Sequence, residues 1–472
     1  MGKASCLFNG TGDQTLYKRV TPSAEQREFL QVQWNALADH LKTRLSAGTG
    51  YTVLTWLQGS YKYGTLIRPV HKGDEYDVDV GIYFEWEEDG NATPSALQLR
   101  EWVQRELESY WATCNDIRKI EVPPKERCSR AVYSGQFHID TPVYHLERSR
   151  DRRRLACLSG EWEDSDPKSF YKWFKNALDS GDREQVRRLV RYLKGWASLA
   201  FEDVPTARPS SILLTVLVVN AFNKLWLPPF SSLDDDDLLL AVVKSMHDRL
   251  CISSIVQNPV DSRENLNRIS PEMWDAFITR LKSLRDAAER AEDANDEATA
   301  ALAWSEAFAY LMPLPLAESV EVVDEKSGGA VLLVPEIDIE VFADSGGPPV
   351  GSFRNEVTSV AKGRKLIFRI RNPAVIPEYA TIEWTVRNEG VESDAIGDLG
   401  HRRIGVKMFS TDERTTYAGV HHMDCIIRVH GQVFAVRRVP VIVKDVRYPP
   451  RNPAKPAYAK LRSILRTKKR WI

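Results

Sequence analysis

Apolar positions along this chain change their spacing three times, and each change predicts a different kind of structure. In residues 24–46, Phe29, Trp34, Leu37 and Leu41 recur near helical spacing, which predicts an amphipathic helix. Leu54-Thr55-Trp56-Leu57 is a short apolar run of strand length. Residues 76–84, Tyr76-Asp77-Val78-Asp79-Val80-Gly81-Ile82-Tyr83-Phe84, are β-branched and aromatic with acids at alternate places, the pattern of a strand. Residues 132–140, ending on Asp140, are expected to form another single strand. Between them, Ser95 is a candidate N-cap for a helix reaching about residue 110. The stretch 54–143 is therefore read as a mixed sheet with helices beside it.

From residue 169 to 311 the period becomes helical. Val186, Leu189, Val190, Leu193 and Trp196 share one face of 183–199, and further helices are expected over 210–225, 235–250, 271–291 and 294–311. The longest apolar run, 212–222, is interrupted by Thr215 and Asn220. It falls short of the roughly 18 residues of a membrane span and is read as a buried helix. Asp234 to Asp237 are read as acids favoured by the dipole at a helix start, and 286–306 as an exposed helix with one packed face. Prolines and paired glycines over 313–349 mark a boundary. Beyond it the runs 365–371, 381–386, 425–429 and 433–436 are strand-like, with turns expected at 388–390 and 430–432. They predict a small β-sandwich over about 335–446. From Arg447 onward there are lysines and arginines but no acids, read as a disordered basic tail.

The chemistry concentrates in the first unit. Alternate residues of a strand share a face, so Asp77 and Asp79 present two carboxylates to one place. A later strand bringing in Asp140 completes a cage for two divalent ions about 3.5–4 Å apart. Just upstream lies Gln58-Gly59-Ser60, where glycine lets backbone approach a phosphate and Ser60 with the following N–H groups can donate to it. Together these form the layout of a two-metal nucleotidyltransferase. Tyr63 is open to two readings, a base-stacking ring or a core tyrosine, and Gln58 to nucleotide contact or packing.

The whole-chain figures narrow the alternatives. With 472 residues, 43% hydrophobic, 27% charged and a net charge of −1, the chain is of ordinary globular composition with room for two or three domains. No basic excess advertises nucleic-acid binding, and no Lys/Arg cluster beside the sheet favours a long nucleic-acid substrate. The first ten residues carry no long apolar run, so no signal peptide is read. Six scattered cysteines without C-x-x-C read as reduced thiols in a cytoplasmic protein. His421, His422 and Cys425 supply three of the four ligands zinc needs, and are expected to serve the β domain structurally or at a ligand.

These motifs together resemble a known family. Gln58-Gly59-Ser60-Tyr61-Lys62-Tyr63-Gly64-Thr65, then Asp74-Glu75-Tyr76-Asp77-Val78-Asp79, then Asp140, are similar to the bacterial cGAS/DncV-like nucleotidyltransferases (SMODS, CD-NTases). So are the helix Arg187 to Trp196, the run Pro209 to Leu217, and Pro259-Val260-Asp261 with Glu264-Asn265-Leu266. The segments Trp384 to Gly390 and Arg414 to His421, with Cys425, resemble the AGS-C sensor domain.

The resemblance implies an α+β fold: a DNA polymerase β-like palm lobe (1–165), a helical lobe (166–318), a linker (319–334), a β-sandwich sensor domain (335–446) and the tail (447–472). It also implies a cyclic di- or trinucleotide synthase of antiviral signalling, working from NTPs, ATP among them. Its product would reach a separate effector, and the sensor's ligand is open. Asp77, Asp79 and Asp140 would hold two Mg2+, with Mn2+ as a substitute. Gln58, Gly59, Ser60, Lys194, Ser210 and Ser211 would contact the nucleotide. The alternatives are a nucleotidyltransferase acting on a small molecule, protein or RNA end, and an inactive palm that binds nucleotide. No membrane and no nucleic acid are called for.

Overall fold

A computed structural model describes residues 2–12, 14–88, 93–225, 233–314, 334–343, 347–430 and 432–445. The basic tail from 447 and residues 319–333 of the expected linker lie outside the described residues. Two short helices, α1 (Ser5–Asn9) and α2 (Leu16–Val20), precede α3 (Ala24–Thr49). Ser23 and Gln26 close a capping box on α3, and Gly50 ends it at φ +76°, where glycine carries no steric penalty.

Then follow β1 (Thr52–Gln58), α4 (Gly59–Tyr63), β2 (Tyr76–Glu85) and α5 (Ala96–Trp111), capped by Ser95. The strands β3 (Ile117–Ile120), β4 (Ser129–Tyr133), β5 (Phe137–Thr141), β6 (Val143–Glu147), β7 (Arg152–Ala156) and β8 (Trp162–Asp164) complete a sheet. Its order is β3-β4-β5-β2-β6-β7-β8, with β1 also on β2. β2 runs parallel to β5 and β6 and antiparallel to β1. Val78, Val80, Ile82 and Phe84 project from one face of β2 into a core shared with Leu37 and Leu41 of α3 and Leu99 and Val103 of α5.

The expected single strand over 132–140 is corrected to two antiparallel strands, β4 and β5. Ser134-Gly135-Gln136 turns the chain, with Gln136 at φ +59°. Apolar residues on both sides hid the break, although Ser-Gly is itself a turn signal.

The helical lobe comprises α6 (Pro167–Asn176), α7 (Ser180–Ala200), α8 (Ser211–Phe222) and α9 (Asp235–Ile252). After the hairpin β9 (Gln257–Asn258) and β10 (Asp261–Asn265) come α10 (Pro271–Glu292) and α11 (Glu297–Phe308). α7 buries the face predicted for it, and α8 is buried along nearly its whole length. α11 departs from the expected exposed helix: Ala300 to Ser305 and Phe308 are all buried, because small alanines admit neighbouring helices on several sides. The N-terminal residues Ala4, Phe8, Leu16 and Val20, read with the palm from sequence, pack into this helical core instead. The acids at the start of α9 help hold them. Asp234 and Asp236 accept the Gly2 and Ala4 amides at 2.9 Å, while Asp235 pairs with both Nε and Nη2 of Arg188.

The C-terminal unit has two facing sheets. Its elements are β11 (Ile337–Phe342), β12 (Gly351–Arg354), β13 (Val357–Ala361), β14 (Lys365–Ile370), β15 (Thr381–Arg387), α12 (Val391–Ala395), β16 (Gly400–Val406), β17 (Ser410–Arg414), β18 (Gly419–Val429) and β19 (Gln432–Lys444). One sheet is ordered β12-β11-β14-β17, the other β13-β19-β18-β15-β16. Ile339, Phe368, Trp384, Met423, Cys425 and Val439 fill the space between them. Strand alternation therefore puts His422 on the opposite face from His421 and Cys425: Cys425 packs in this core, while His422 faces Glu389.

The sandwich is fixed to the helical lobe by Arg387. This arginine pairs with Asp424 at 2.5 Å and donates to the carbonyls of Ala309 and Met312. Among the described residues no helix is long and apolar enough to cross a membrane.

Candidate active site

The site is built where β2 meets β5. Their parallel register pairs Asp77 with His138 and Asp79 with Asp140. Alternation sends Val78 and Ile139 into the core, both fully buried, and leaves the four polar side chains as a block on the opposite face. On the other side of β2, Gln58 is the register partner of Asp79, so the turn into α4 lies against that carboxylate. Gly59 has φ +66°, and a Cβ built there would overlap the Asp79 carboxylate, lying 2.8 Å from Cγ. Glycine is required at this position both by backbone conformation and by space.

Each acid has a different environment. Burial, with the like charges of Asp77 and Asp140, holds Asp79 well above the ordinary carboxylate range. For Asp77, desolvation in the cleft opposes ionisation. The hydrogen bond from His138 and the charges of His138, Arg130 and Lys194 outweigh it, so its pKa is lowered. Asp140 is gripped at both oxygens by Arg130, through Nε at 2.5 Å and Nη2 at 2.7 Å. The His138 ring spans Glu75 at 3.0 Å and Asp77 at 2.8 Å.

The donor set suits a divalent cation. Ligand atoms of Asp77, His138 and Asp140 lie within 4.8 Å of one another, and Asp79 is crowded by two like charges. Carboxylate oxygens match the preference of hard cations, and a cation there relieves the repulsion that raises Asp79.

The other predicted residues separate. Lys194 projects from α7 toward the acids, donates to the Thr65 carbonyl at 2.9 Å and is 8% exposed. Burial lowers its pKa to about 8 against the pull of Asp77 and Asp79. Ser60 lies on α4, one residue beyond Gly59. Ser210 caps α8 by accepting the Leu213 amide at 3.3 Å, and Ser211 is the exposed first residue of that helix. Gln58 is buried with its amide held between the hydroxyls of Tyr83 and Tyr144, so its side chain packs. Tyr63 stacks on Tyr171 with centroids 5.9 Å apart.

Sequence reasoning missed Arg130, His138 and Glu75. His138 was findable, since two residues before Asp140 on one strand means the same face. Arg130 was hidden, because it opposes Asp140 only once β4 and β5 are split into a hairpin.

Residues 53–144 match the family described as the nucleotidyltransferase domain of Cyclic GMP-AMP synthase DncV-like proteins. Residues 323–444 match the Adenylyl/Guanylyl and SMODS C-terminal sensor domain. A protein of Escherichia albertii named cyclic GMP-AMP synthase is 30% identical over 442 residues, 92% of this chain and 94% of that protein. A c-di-GMP synthase of Roseivirga ehrenbergii is 24% identical over 318 residues, 59% of this chain and 80% of the relative. Among solved structures, the Vibrio cholerae dinucleotide cyclase DncV in complex with GTP and 5MTHFGLU2 aligns with TM-score 0.55 at 20% identity. That alignment covers 66% of this chain and 96% of the other, a likeness of fold.

Proposed function

Because the chain belongs to the DncV-like cyclic nucleotide synthases, we propose that it joins two nucleoside triphosphates into a cyclic dinucleotide and releases pyrophosphate. The observation that carries this is the convergence of Asp77, Asp79 and Asp140 on one sheet face against the Gly59 turn. The names of the relatives, cyclic GMP-AMP synthase and c-di-GMP synthase, favour a product containing guanine and a ring of two nucleotides. A role in anti-phage signalling through a separate effector belongs to the same proposal. So does the division into palm lobe, helical lobe and sensor domain.

Asp77, Asp79 and Asp140 would hold two Mg2+ ions, with Mn2+ as a substitute. Bound there, the ions supply activation of a ribose hydroxyl and neutralisation of charge at the departing pyrophosphate. The chain's own residues do the positioning. Arg130 holds the Asp140 carboxylate in one plane, and His138 holds Asp77 while being braced by Glu75. Gly59 lets the chain turn closely past Asp79, which sets Ser60 and the α4 backbone beside the donor triphosphate. Lys194, charged below about pH 8, supplies a cation from the helical lobe. Ser211, and the hydroxyl proton that Ser210 keeps while capping, are the remaining donors.

The test is incubation with four labelled NTPs and Mg2+ or Mn2+, phosphatase treatment and mass spectrometry, beside an Asp77→Ala/Asp79→Ala variant. A phosphatase-resistant cyclic product that the variant does not make is expected. Continued nucleotide incorporation by the variant, or a linear or protein-linked product alone, overturns the reading.

A further inference from the structure

Four strands carry the site at one level. Gln58 of β1 is the register partner of Asp79, Asp79 of Asp140, and Asp140 of Arg130. That line crosses three strand spacings, roughly 14 Å, with the Gly59 turn at one end and Arg130 at the other. The donor triphosphate is proposed for the Gly59 end. In phosphoryl transfer the attacking oxygen lies in line with the departing one, on the opposite side. The second nucleotide therefore comes in over β5 and β4, and it brings a triphosphate of its own. A polyanion needs positive charge that no acid already matches.

The cations at that end can be sorted by their partners. Arg118 pairs with Glu75 at 3.0 Å and Arg127 with Glu163 at 2.9 Å. Arg130 spends Nε and Nη2 on Asp140, with Glu121 a further 3.8 Å from Nε. Lys125 differs. Its Nζ is 3.7 Å from Asp140 Oδ2, too far for a hydrogen bond, and among the described residues no other acid lies within ion-pair distance of it. Asp140 is thus shared between two protein cations, and Arg130 holds it by the shorter contacts. A carboxylate has about four lone-pair sites. Asp140 can therefore keep the Arg130 clamp while giving an oxygen to a divalent ion, and Lys125 then loses its only acid. The lysine side chain is 37% exposed and free to turn, but its backbone is held. Arg100 of α5, 1% exposed, donates to the carbonyls of Lys125 and Glu126 at 2.7 and 2.6 Å. A buried arginine committed to two adjacent loop carbonyls fixes where this lysine stands and leaves its ammonium beside the acids.

We propose that Lys125 is a place-holder that pairs with Asp140 until divalent ions take that carboxylate, and then binds the phosphates of the second, acceptor nucleotide. The proposal rests on the synthase reading. Lysine suits the task, since a compact ammonium on a flexible stem serves phosphate as a point charge.

Two binding measurements on the full chain test it without turnover. In the first, Mn2+ is titrated without nucleotide and followed by the electron paramagnetic resonance of the free ion. Lys125→Met removes the competing ammonium and is expected to tighten Mn2+ binding at least threefold. Lys42→Met makes the same charge change at an exposed position of α3, which packs on the opposite face of the sheet, and is expected to leave Mn2+ binding unchanged. In the second, the probes are 2′,3′-dideoxy-ATP and 2′,3′-dideoxy-GTP, triphosphates with no hydroxyl to join, titrated by calorimetry at saturating Mn2+. Wild type is expected to bind two triphosphates per chain. Lys125→Met is expected to weaken one of the two sites at least tenfold and keep the other, and Lys125→Arg to restore most of the loss. Two wild-type sites that Lys125→Met leaves alone, or weakens equally, overturn the role of Lys125 while the synthase reading stands. A single triphosphate per chain in wild type overturns that reading and the proposal with it. Mn2+ binding that ignores Lys125→Met, or responds equally to Lys42→Met, overturns the place-holder step.

Discussion

Replacing Gly59 by alanine separates the cost of a backbone conformation from the cost of a displaced carboxylate. At φ +66° an L-residue loses roughly 1–2 kcal/mol to steric conflict. The new methyl would also overlap the Asp79 carboxylate, and a misplacement of about 1 Å at a reacting group can lower a rate by about 100-fold. Gly50 supplies the control. It has φ +76° at the end of α3, with nothing within 4 Å of a built Cβ. Gly50→Ala therefore carries the backbone cost without the clash. Thermal unfolding of both variants should fall by about 2–4 °C for each kcal/mol lost, the slope expected of domains this large. Pyrophosphate release, followed by a coupled phosphate assay, should drop by about 100-fold in Gly59→Ala and stay near wild type in Gly50→Ala. If Gly59→Ala retains wild-type turnover, or if the two variants lose activity equally, the close approach of turn and carboxylate does not matter to catalysis.

Three further outcomes follow from the same geometry. Arg130→Ala frees the Asp140 carboxylate and should cost about 10–100-fold in activity, as loss of a ligand-orienting partner does. Arg130→Lys should restore part of it, and unchanged activity across a Mg2+ titration would count against the clamp. Lys194, with its pKa lowered to about 8 from 10.5, is a cation below that pH and neutral above it. The wild-type KM for NTP should therefore climb as pH rises through 8 while that of Lys194→Met stays flat, and parallel profiles would remove Lys194 from the triphosphate site. Arg387→Met strands Asp424 and two carbonyls in a dry interface, and breaking a buried pair from one side costs about 3–5 kcal/mol. Urea unfolding should reveal that loss, and a wild-type midpoint would mean that Arg438, 3.7 Å from Asp424, compensates.

Much of this site could be read from sequence because strand alternation is a rigid rule. Asp77 and Asp79 had to share a face, and Asp140 joined them once its strand lay beside β2. The misreadings have a common cause, which is that periodicity reports burial and not chain direction. The run 132–140 is apolar on both sides of its turn, so the hairpin and the opposition of Arg130 to Asp140 were invisible. α11 looked amphipathic, yet alanine is small enough to be buried on any side. Gln58, by contrast, was open to nucleotide contact or packing, and its amide is held by Tyr83 and Tyr144, partners brought together only by the sheet order. The docking of the N-terminal segment on Asp234 and Asp236 spans 232 residues of sequence, a separation that no local pattern encodes.

The loop 64–75 explains why α7 carries buried charge at all. A loop inside a folded chain must find partners for its backbone carbonyls, and here side chains of the helical lobe supply them. Lys194 donates to Thr65, Arg191 to Leu66 and Tyr310 to Val70. The sensor domain grips the same loop from the other side through Arg68 and Lys72. Both outer units therefore act on one short connection, whose ends are the Gly59 turn and the strand of Asp77. A shift of either unit has to be absorbed by that connection, because the sheet it enters is close-packed and does not deform smoothly. The acids are thus positioned by the whole chain, and Lys194, which holds the loop, is also the residue proposed to face the triphosphate. A conservative Lys194→Arg change keeps the charge but not the fit to Thr65, so its effect on folding and on KM should separate those roles.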